Sequence, residues 1–131
     1  PLTRATETAE IVLRGRNIPI ITDNRLMEIS FGVYEGIEKY LDIPDCPVNT
    51  LFFEPEKYET AVEGGENIEE LFSRTGSFLS EVIEPELALN KDIIIIGHGV
   101  MNSSIICQVK NREKKDLWAE SIENCRLKHI K

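Results

Sequence analysis

His98 is the side chain of this sequence best placed to do chemistry. It lies between Gly97 and Gly99, directly after four consecutive isoleucines at positions 93–96. Such an apolar, β-branched run predicts a strand buried on both faces, and open α/β sheets bind ligands just beyond the carboxyl ends of their strands. Residues 100–110 can form a helix whose N-terminus favours an anion at the same place. The pattern indicates an anion site, although a lone histidine near a strand end is more often a packed or surface residue.

Arg4 is a second candidate, far from His98 along the chain. Residues 1–16 predict a helix, because small apolar residues recur at positions 5, 9 and 12 and Gly15 suits its exit. A positive charge in the first turn opposes the helix dipole. Arg4 is better explained if its guanidinium and the free amides of that turn face an anion together. A solvated surface arginine is the simpler alternative.

Glu28 and Glu35 are the carboxylates of a segment without a clean period. Residues 25–36 mix apolar and polar side chains and contain two glycines, which predicts a shaped loop, and such loops often carry sites. Each glutamate taken alone is expected to face solvent. Residues 42–65 predict an irregular excursion that either covers a site or only connects elements.

Composition limits the classes of function. The chain has 131 residues, 41% hydrophobic and 29% charged, and a formal net charge of −8, so it is expected to be one soluble domain that binds neither nucleic acid nor an anionic membrane. Three widely spaced cysteines fit reduced thiols in the cytoplasm. With only two histidines, a multi-histidine metal site cannot be built, and no metal or cofactor is expected.

Two further elements complete the predicted fold. Residues 67–83 give the strongest helix, with one continuous apolar stripe and a capping box formed by Asn67 and Glu70. Residues 18–22 predict a short strand at a sheet edge or a strand start, because they contain Pro19. Residues 124–127 predict a turn that enters a final strand.

Three stretches together resemble a known family. The N-terminal sequence PLTRATETA is similar to the "S-P-L-x-R-A-x-x-T-A" helix start of the histidine phosphatase superfamily, the phosphoglycerate mutase-like fold. Residues 26–36, LMEISFGVYEG, resemble its "L-x-E-x-x-F-G-x-W-E-G" loop, and residues 93–99 resemble its second histidine motif. Any one motif is weak, but three in the right order over nearly the whole chain form a strong signal.

The resemblance implies a fold class. It predicts a three-layer α/β/α sandwich with a mostly parallel sheet, and residues 1–131 as one N-terminally incomplete domain. The family opens with a strand that ends in Arg-His-Gly, whose histidine accepts the phosphoryl group. This chain begins at Pro1 and contains no Arg-His-Gly, and His129 after Lys128 does not match. The nucleophile is therefore expected outside the given sequence.

The resemblance also implies a role for each candidate residue. The family nucleophile attacks phosphorus and forms a phosphohistidine, which divides one hard displacement into two easier ones. Arg4 would grip the phosphoryl oxygens, and His98 with Gly99 would bind the same group, His98 best as an imidazolium. Glu28 would act as general acid on the leaving oxygen and then as base on water.

Several alternatives stay open. Residues 37–65 lack the Arg-rich insertion of the phosphoglycerate mutases, which favours a phosphatase acting on a small phosphorylated metabolite. The other class is a shortened, inactive domain that binds phosphate or a partner without turnover. A truly truncated chain would expose the edge of strand 93–96 and would be expected to form a homodimer. A serine hydrolase is weakly supported, because Gly97-His98-Gly99 is not a G-x-S-x-G elbow.

Overall fold

The computed structural model describes residues 2–59 and 62–130. Within these ranges the chain forms five α-helices, namely α1 (Thr3–Val12), α2 (Asn49–Phe53), α3 (Ile68–Phe78), α4 (Glu84–Ala88) and α5 (Gly99–Val109). Short 3₁₀ turns cover Asn24–Leu26, Gly32–Tyr34, Tyr40–Asp42, Pro55–Lys57 and Lys114–Asp116, and a π-helical turn, Leu79–Ile83, joins α3 to α4. The predicted helix at the N-terminus is confirmed as α1; Pro1, its predicted first residue, lies outside the described ranges.

The core forms where α3 packs against α5. α5 is buried on most of its surface, as expected for a helix that is apolar nearly all round. The largest cluster of buried side chains joins residues of both helices to the loops around them, including Ile29, Leu71 and Met101. The helix that begins next to His98 is therefore the central element of the described chain.

The capping box predicted at the start of α3 is confirmed. The Asn67 side chain accepts a hydrogen bond from the backbone N–H of Glu70 at 2.8 Å. The Glu70 carboxylate accepts one from the N–H of Asn67 at 2.9 Å. Two N–H groups that would otherwise lack partners are thus satisfied reciprocally, which fixes where α3 begins.

The predicted α/β/α sandwich with a mostly parallel sheet is wrong for the described residues, which contain no sheet. Residues 92–97 exchange no backbone hydrogen bonds with another segment, and Ile94 is 53% exposed instead of buried on both faces. Residues 18–22 likewise form no strand, and the turn predicted at residues 124–127 is present at residues 124–125 but leads into no strand within the described residues. A run of β-branched residues becomes a strand only when a neighbour completes its hydrogen bonds, and residues 2–59 and 62–130 supply none.

The predicted shaped loop is present and is fastened to the segment that precedes α3. Phe31 and Gly65 form an isolated antiparallel bridge, and the N–H of Glu66 donates to the carbonyl of Ser30 at 3.0 Å. Gly32 has φ +52°, and a Cβ there would lie 2.0 Å from the Glu63 carbonyl oxygen. Only glycine fits this close approach, so the loop's glycine is a structural requirement.

Aromatic side chains around α2 divide between core and surface. Phe52 stacks on Trp118 with ring centroids 5.4 Å apart, and the Trp118 indole N–H donates to the Leu51 carbonyl at 2.9 Å. Phe53, by contrast, is 82% exposed. Among the described residues, no helix is long and apolar enough to cross a membrane.

Candidate functional site

Glu28 lies against the N-terminus of α5. Its Oε2 accepts a hydrogen bond from the N–H of Val100 at 3.1 Å, and its Oε1 accepts one from the N–H of Met101 at 3.0 Å. Oε1 also accepts from the N–H of Ile29 at 2.9 Å. Helix N-termini stabilise negative charge through their free amides and dipole. The fold therefore brings Glu28 to the anion-binding N-terminus of α5, although Val100 and Met101 lie 72 and 73 positions further along the sequence.

His98 is the N-cap residue of the same helix, with the extended backbone typical of that position. It is only 8% exposed, and its buried Nε2 has no hydrogen-bond partner among residues 2–59 and 62–130. A buried polar atom without a partner costs free energy, and in native proteins it often has a functional reason. His98 thus carries a ring nitrogen whose hydrogen-bonding capacity the described residues leave unused.

The electrostatics of His98 connect it to both other candidates. Burial, followed by the positive charge of Arg4, holds the pKa of the His98 imidazole below its ordinary value, and the negative charge of Glu28 acts in the opposite direction. Arg4 lies exposed in the first turn of α1. The structure therefore places Arg4 and Glu28 each within electrostatic reach of His98.

The two glycines beside His98 differ in importance. A Cβ at Gly97 would lie 1.9 Å from Cε of Met101 and 2.9 Å from Oδ1 of Asn102, so a larger residue there would force these two side chains of α5 to move. A Cβ at Gly99 would only reach ordinary contact, 3.9 Å from Oε2 of Glu28. Gly99 is exposed and lies beside the carboxylate, where small size leaves room for a ligand without being required by the fold.

This arrangement can bind an oxyanion and exchange protons with it. One guanidinium and one imidazole can donate to it, and one carboxylate, which already engages the Val100 and Met101 amides, is positioned to hold or release a proton. Among the described ranges, no group of three or more His, Cys, Asp or Glu residues could hold a metal ion. Two surface depressions, of about 710 and 490 Å³, lie elsewhere along α3 and near the Lys114–Asp116 turn, and Arg4, Glu28 and His98 line neither.

Sequence reasoning overlooked the residues that hold the Glu28 loop in place. Arg74 of α3 forms a bidentate ion pair with Glu66, at 2.5 and 2.9 Å, and donates to the backbone carbonyl of Arg25. The sequence does show a glutamate just before α3 and an arginine eight positions later within that helix. Such charged residues are usually solvated, so this pattern alone does not predict an ion pair. The partner carbonyl of Arg25 could not be found from sequence.

The comparisons with known proteins identify the family of this chain. The family model "Histidine phosphatase superfamily (branch 1)" matches residues 1–131. The chain therefore belongs to the histidine phosphatase superfamily, which confirms the resemblance found in its motifs.

Curated relatives carry the names of two activities. Phosphoserine phosphatase 1 of Hydrogenobacter thermophilus is 23% identical over 95% of this chain and 58% of the relative. The 2,3-bisphosphoglycerate-dependent phosphoglycerate mutase of Cytophaga hutchinsonii is 28% identical over 88% of this chain and 55% of the relative. The chain thus spans a little over half the length of these relatives.

Solved structures share the backbone arrangement. Bacillus stearothermophilus YhfR superposes with a TM-score of 0.77 at 28% identity, covering 90% of this chain and 57% of that protein. The α-ribazole phosphatase from Shigella flexneri gives a TM-score of 0.72 at 21% identity, over 93% and 59% of the two chains. The described helices and loops therefore follow the course of the corresponding part of these proteins.

Proposed function

We propose that the protein is a metal-independent phosphomonoester hydrolase that acts on a small phosphorylated metabolite. The reaction proceeds through a phosphohistidine whose histidine lies outside residues 1–131. Membership of the histidine phosphatase superfamily supports this class. The curated relatives include both phosphatases and mutases, and the lack of an Arg-rich insertion in residues 37–65 favours hydrolysis. The observation that carries the proposal is the seating of the Glu28 carboxylate on the amides that follow His98.

Each residue contributes one physical effect to the proposed reaction. Phosphoryl transfer has a loose transition state with charge on the equatorial oxygens, so catalysis is mostly positioning and electrostatic stabilisation. Arg4 supplies a fixed fork of donors to those oxygens. His98 offers its unpartnered Nε2 to the same group, and because an arriving dianion favours imidazolium, binding draws a proton to the ring.

Glu28 handles the proton of the leaving group. In the first step it donates a proton to the departing oxygen of the substrate, and in the second it takes one from the attacking water. It stands at the α5 N-terminus beside His98, so both steps occur within hydrogen-bonding reach of the phosphoryl group. Gly99 leaves the approach to that helix end open.

The test is an assay of the complete protein with a generic aryl phosphate. We expect hydrolysis that is insensitive to EDTA, an acid-labile and base-stable protein-bound phosphate on rapid quenching, and a loss of about 10³-fold in turnover for His98→Ala. His129→Ala, at the other histidine and on the exposed surface, is the matched control and keeps full activity. No turnover, or turnover that requires an added metal, would overturn the proposal.

A second candidate is a domain that binds phosphate without turnover. It is favoured by one observation, the absence of an Arg-His-Gly motif from residues 1–131. Under this alternative the intact protein has the mass of the given chain, 14.9 kDa, and binds inorganic phosphate but hydrolyses no ester. An intact mass well above that value, together with turnover abolished by His98→Ala, eliminates it.

A further inference from the structure

Arg74 makes a set of contacts that is unusual for a partly exposed arginine. Its Nε and Nη2 donate to the two oxygens of Glu66 at 2.5 and 2.9 Å, and its Nη1 donates to the backbone carbonyl of Arg25 at 2.5 Å. The side chain is 20% exposed and that of Glu66 is 16% exposed. A fork–fork pair fixes the orientation of the guanidinium, so the third contact is made by an already ordered group.

The held carbonyl belongs to the segment that carries Glu28. Arg25 lies three positions before Glu28, and its own side chain is paired with Asp23 and Glu81. It also donates to the Ser77 hydroxyl at 3.3 Å. Backbone and side chain of Arg25 are therefore both attached to α3 and the π-helical turn that follows it, before the chain continues to the carboxylate.

The next residue of α3 holds the other half of the site. Thr75 is fully buried, and its Oγ1 accepts hydrogen bonds from the Ser104 hydroxyl at 3.1 Å and from the Gln108 amide at 2.7 Å. Ser104 and Gln108 belong to α5, whose N-cap is His98. Two consecutive residues of α3 thus face the two segments whose ends carry Glu28 and His98.

We propose that Arg74 is a positioning residue, which sets where the Glu28 carboxylate meets the N-terminus of α5 by fixing the Arg25 backbone on α3. The catalytic meaning of this position rests on the function proposed above, but the position itself does not. Lysine cannot replace the arginine fully, because one ammonium cannot satisfy both Glu66 oxygens and the carbonyl in the same fixed geometry.

A competing explanation is that neighbouring burial alone positions Glu28. Ile29 is 1% exposed and belongs to the main core, so it anchors the segment on the side after Glu28. If that anchor is sufficient, the loss of Arg74 changes stability but leaves the carboxylate beside His98. The two explanations differ in what His98 experiences, which can be measured directly.

The experiment is an NMR titration of the two histidines in the 131-residue chain. His129, which is exposed, serves as internal reference for His98. Four proteins form a double-mutant cycle: the parent, Glu28→Gln, Arg74→Gln and the double variant. Because the Glu28 charge raises the His98 pKa, Glu28→Gln should shift that pKa downward.

Arg74→Gln should shift the His98 pKa in the same downward direction, and it should have little further effect when Glu28 is already glutamine. The shift is diagnostic, because direct loss of a positive charge near His98 would move the pKa upward. Arg16→Gln, at an exposed arginine, is the matched control and leaves both histidines unchanged. An unchanged or raised His98 pKa in folded Arg74→Gln, or additive shifts in the double variant, would overturn the proposal.

Two precautions keep the outcome decisive. Near-ultraviolet circular dichroism of the Phe52–Trp118 pair reports whether each variant is folded; if Arg74→Gln is not, the cycle is run with Arg74→Lys under the same criteria.

In the complete enzyme, Arg74→Gln should lower kcat about tenfold or more while KM changes little, because misplacement of a reacting group affects the transition state. Non-additive pKa shifts in a protein without phosphatase activity would support the positioning role and refute the proposed function. Phosphatase activity together with additive pKa shifts would support the proposed function and refute the positioning role.

Discussion

The Glu28 carboxylate accepts a hydrogen bond from the Val100 amide at 3.1 Å, although the two residues are 72 positions apart in sequence. The proposed proton-transfer residue therefore also caps the helix that begins beside His98. An oxyanion that approaches this helix end meets amides that are already satisfied and a negative charge that repels it. Glu28 should consequently weaken binding of an inert anion even though it assists hydrolysis.

Replacing Glu28 by glutamine should separate binding from catalysis. We expect Glu28→Gln to bind sulfate about fivefold more tightly at pH 8, which is on the order of 1 kcal/mol of removed charge repulsion. Burial and Arg4 lower the pKa of His98, and loss of the Glu28 charge lowers it further, so His98 is neutral in both proteins at that pH. Hydrolysis of an aryl phosphate by the complete protein should fall. Isothermal calorimetry measures the first effect, with Glu38→Gln at an exposed glutamate as control; weaker sulfate binding in Glu28→Gln would contradict the argument.

Anion binding should depend on pH through His98. The free imidazole has a lowered pKa because of burial and Arg4, and a bound dianion raises it, so binding takes up a proton between the two values. Sulfate, which stays a dianion throughout, should therefore bind more tightly as the pH falls from 7.5 to 5.5. His98→Gln should remove this dependence and His129→Gln should keep it. A flat profile in the parent protein would show that His98 does not contact the anion.

Replacing His98 by an apolar residue should not destabilise the protein and should stabilise it at low pH. Its buried Nε2 has no partner in the described part of the chain, so His98→Leu should leave the free energy of unfolding unchanged or raise it by about 1 kcal/mol at pH 7.5. Because folding lowers the pKa of His98, the contribution of the neutral imidazole to the free energy of unfolding is fully present above pH 6.5. It is lost as the pH falls towards the lowered pKa. The advantage of His98→Leu should grow over that window. Urea unfolding at several pH values measures this, and a loss above 1 kcal/mol at pH 7.5 would count against it.

The polar contact between α3 and α5 should be needed for stability. Thr75→Val removes an acceptor shared by Ser104 and Gln108 and should lower the free energy of unfolding by about 1–3 kcal/mol. Thr8→Val is a matched control. The Thr8 hydroxyl donates to the backbone carbonyl four residues earlier within α1, but the residue is exposed. Denaturant unfolding of both variants provides the comparison, and equal effects would show that burial of the network contributes nothing.

Helices of this chain were predictable because their signals are local. The Asn67–Glu70 capping box and the apolar stripe after it define α3 without reference to the rest of the molecule. The sheet prediction failed because it depended on more than local signals. Isoleucines at 93–96 have strand propensity, but a strand also needs a hydrogen-bonding partner elsewhere in the chain. Residues 2–59 and 62–130 contain no such partner, and Ile94 is exposed instead.

The candidate site was predictable in its residue types but not in its geometry. Arg4, Glu28 and His98 follow from motif resemblance, and the structure brings Arg4 and Glu28 each within electrostatic reach of His98. The seating of Glu28 on the Val100 and Met101 amides depends on how the loop and α5 pack. The contact from Arg74 to a backbone carbonyl leaves no mark in the sequence of Arg25, so no pattern could have revealed it.

The central claim is that Arg4, Glu28 and His98 form one phosphoryl-binding site, and NMR titration of the labelled 131-residue chain with inorganic phosphate tests it most directly. The account predicts that the His98 ring, the amides of Val100 and Met101 and the Arg4 guanidinium shift together along one saturating curve. His129 should stay unchanged. Shifts confined to other cations, such as Lys110, Arg112 and Lys128 around Glu120, with none at His98, would contradict it.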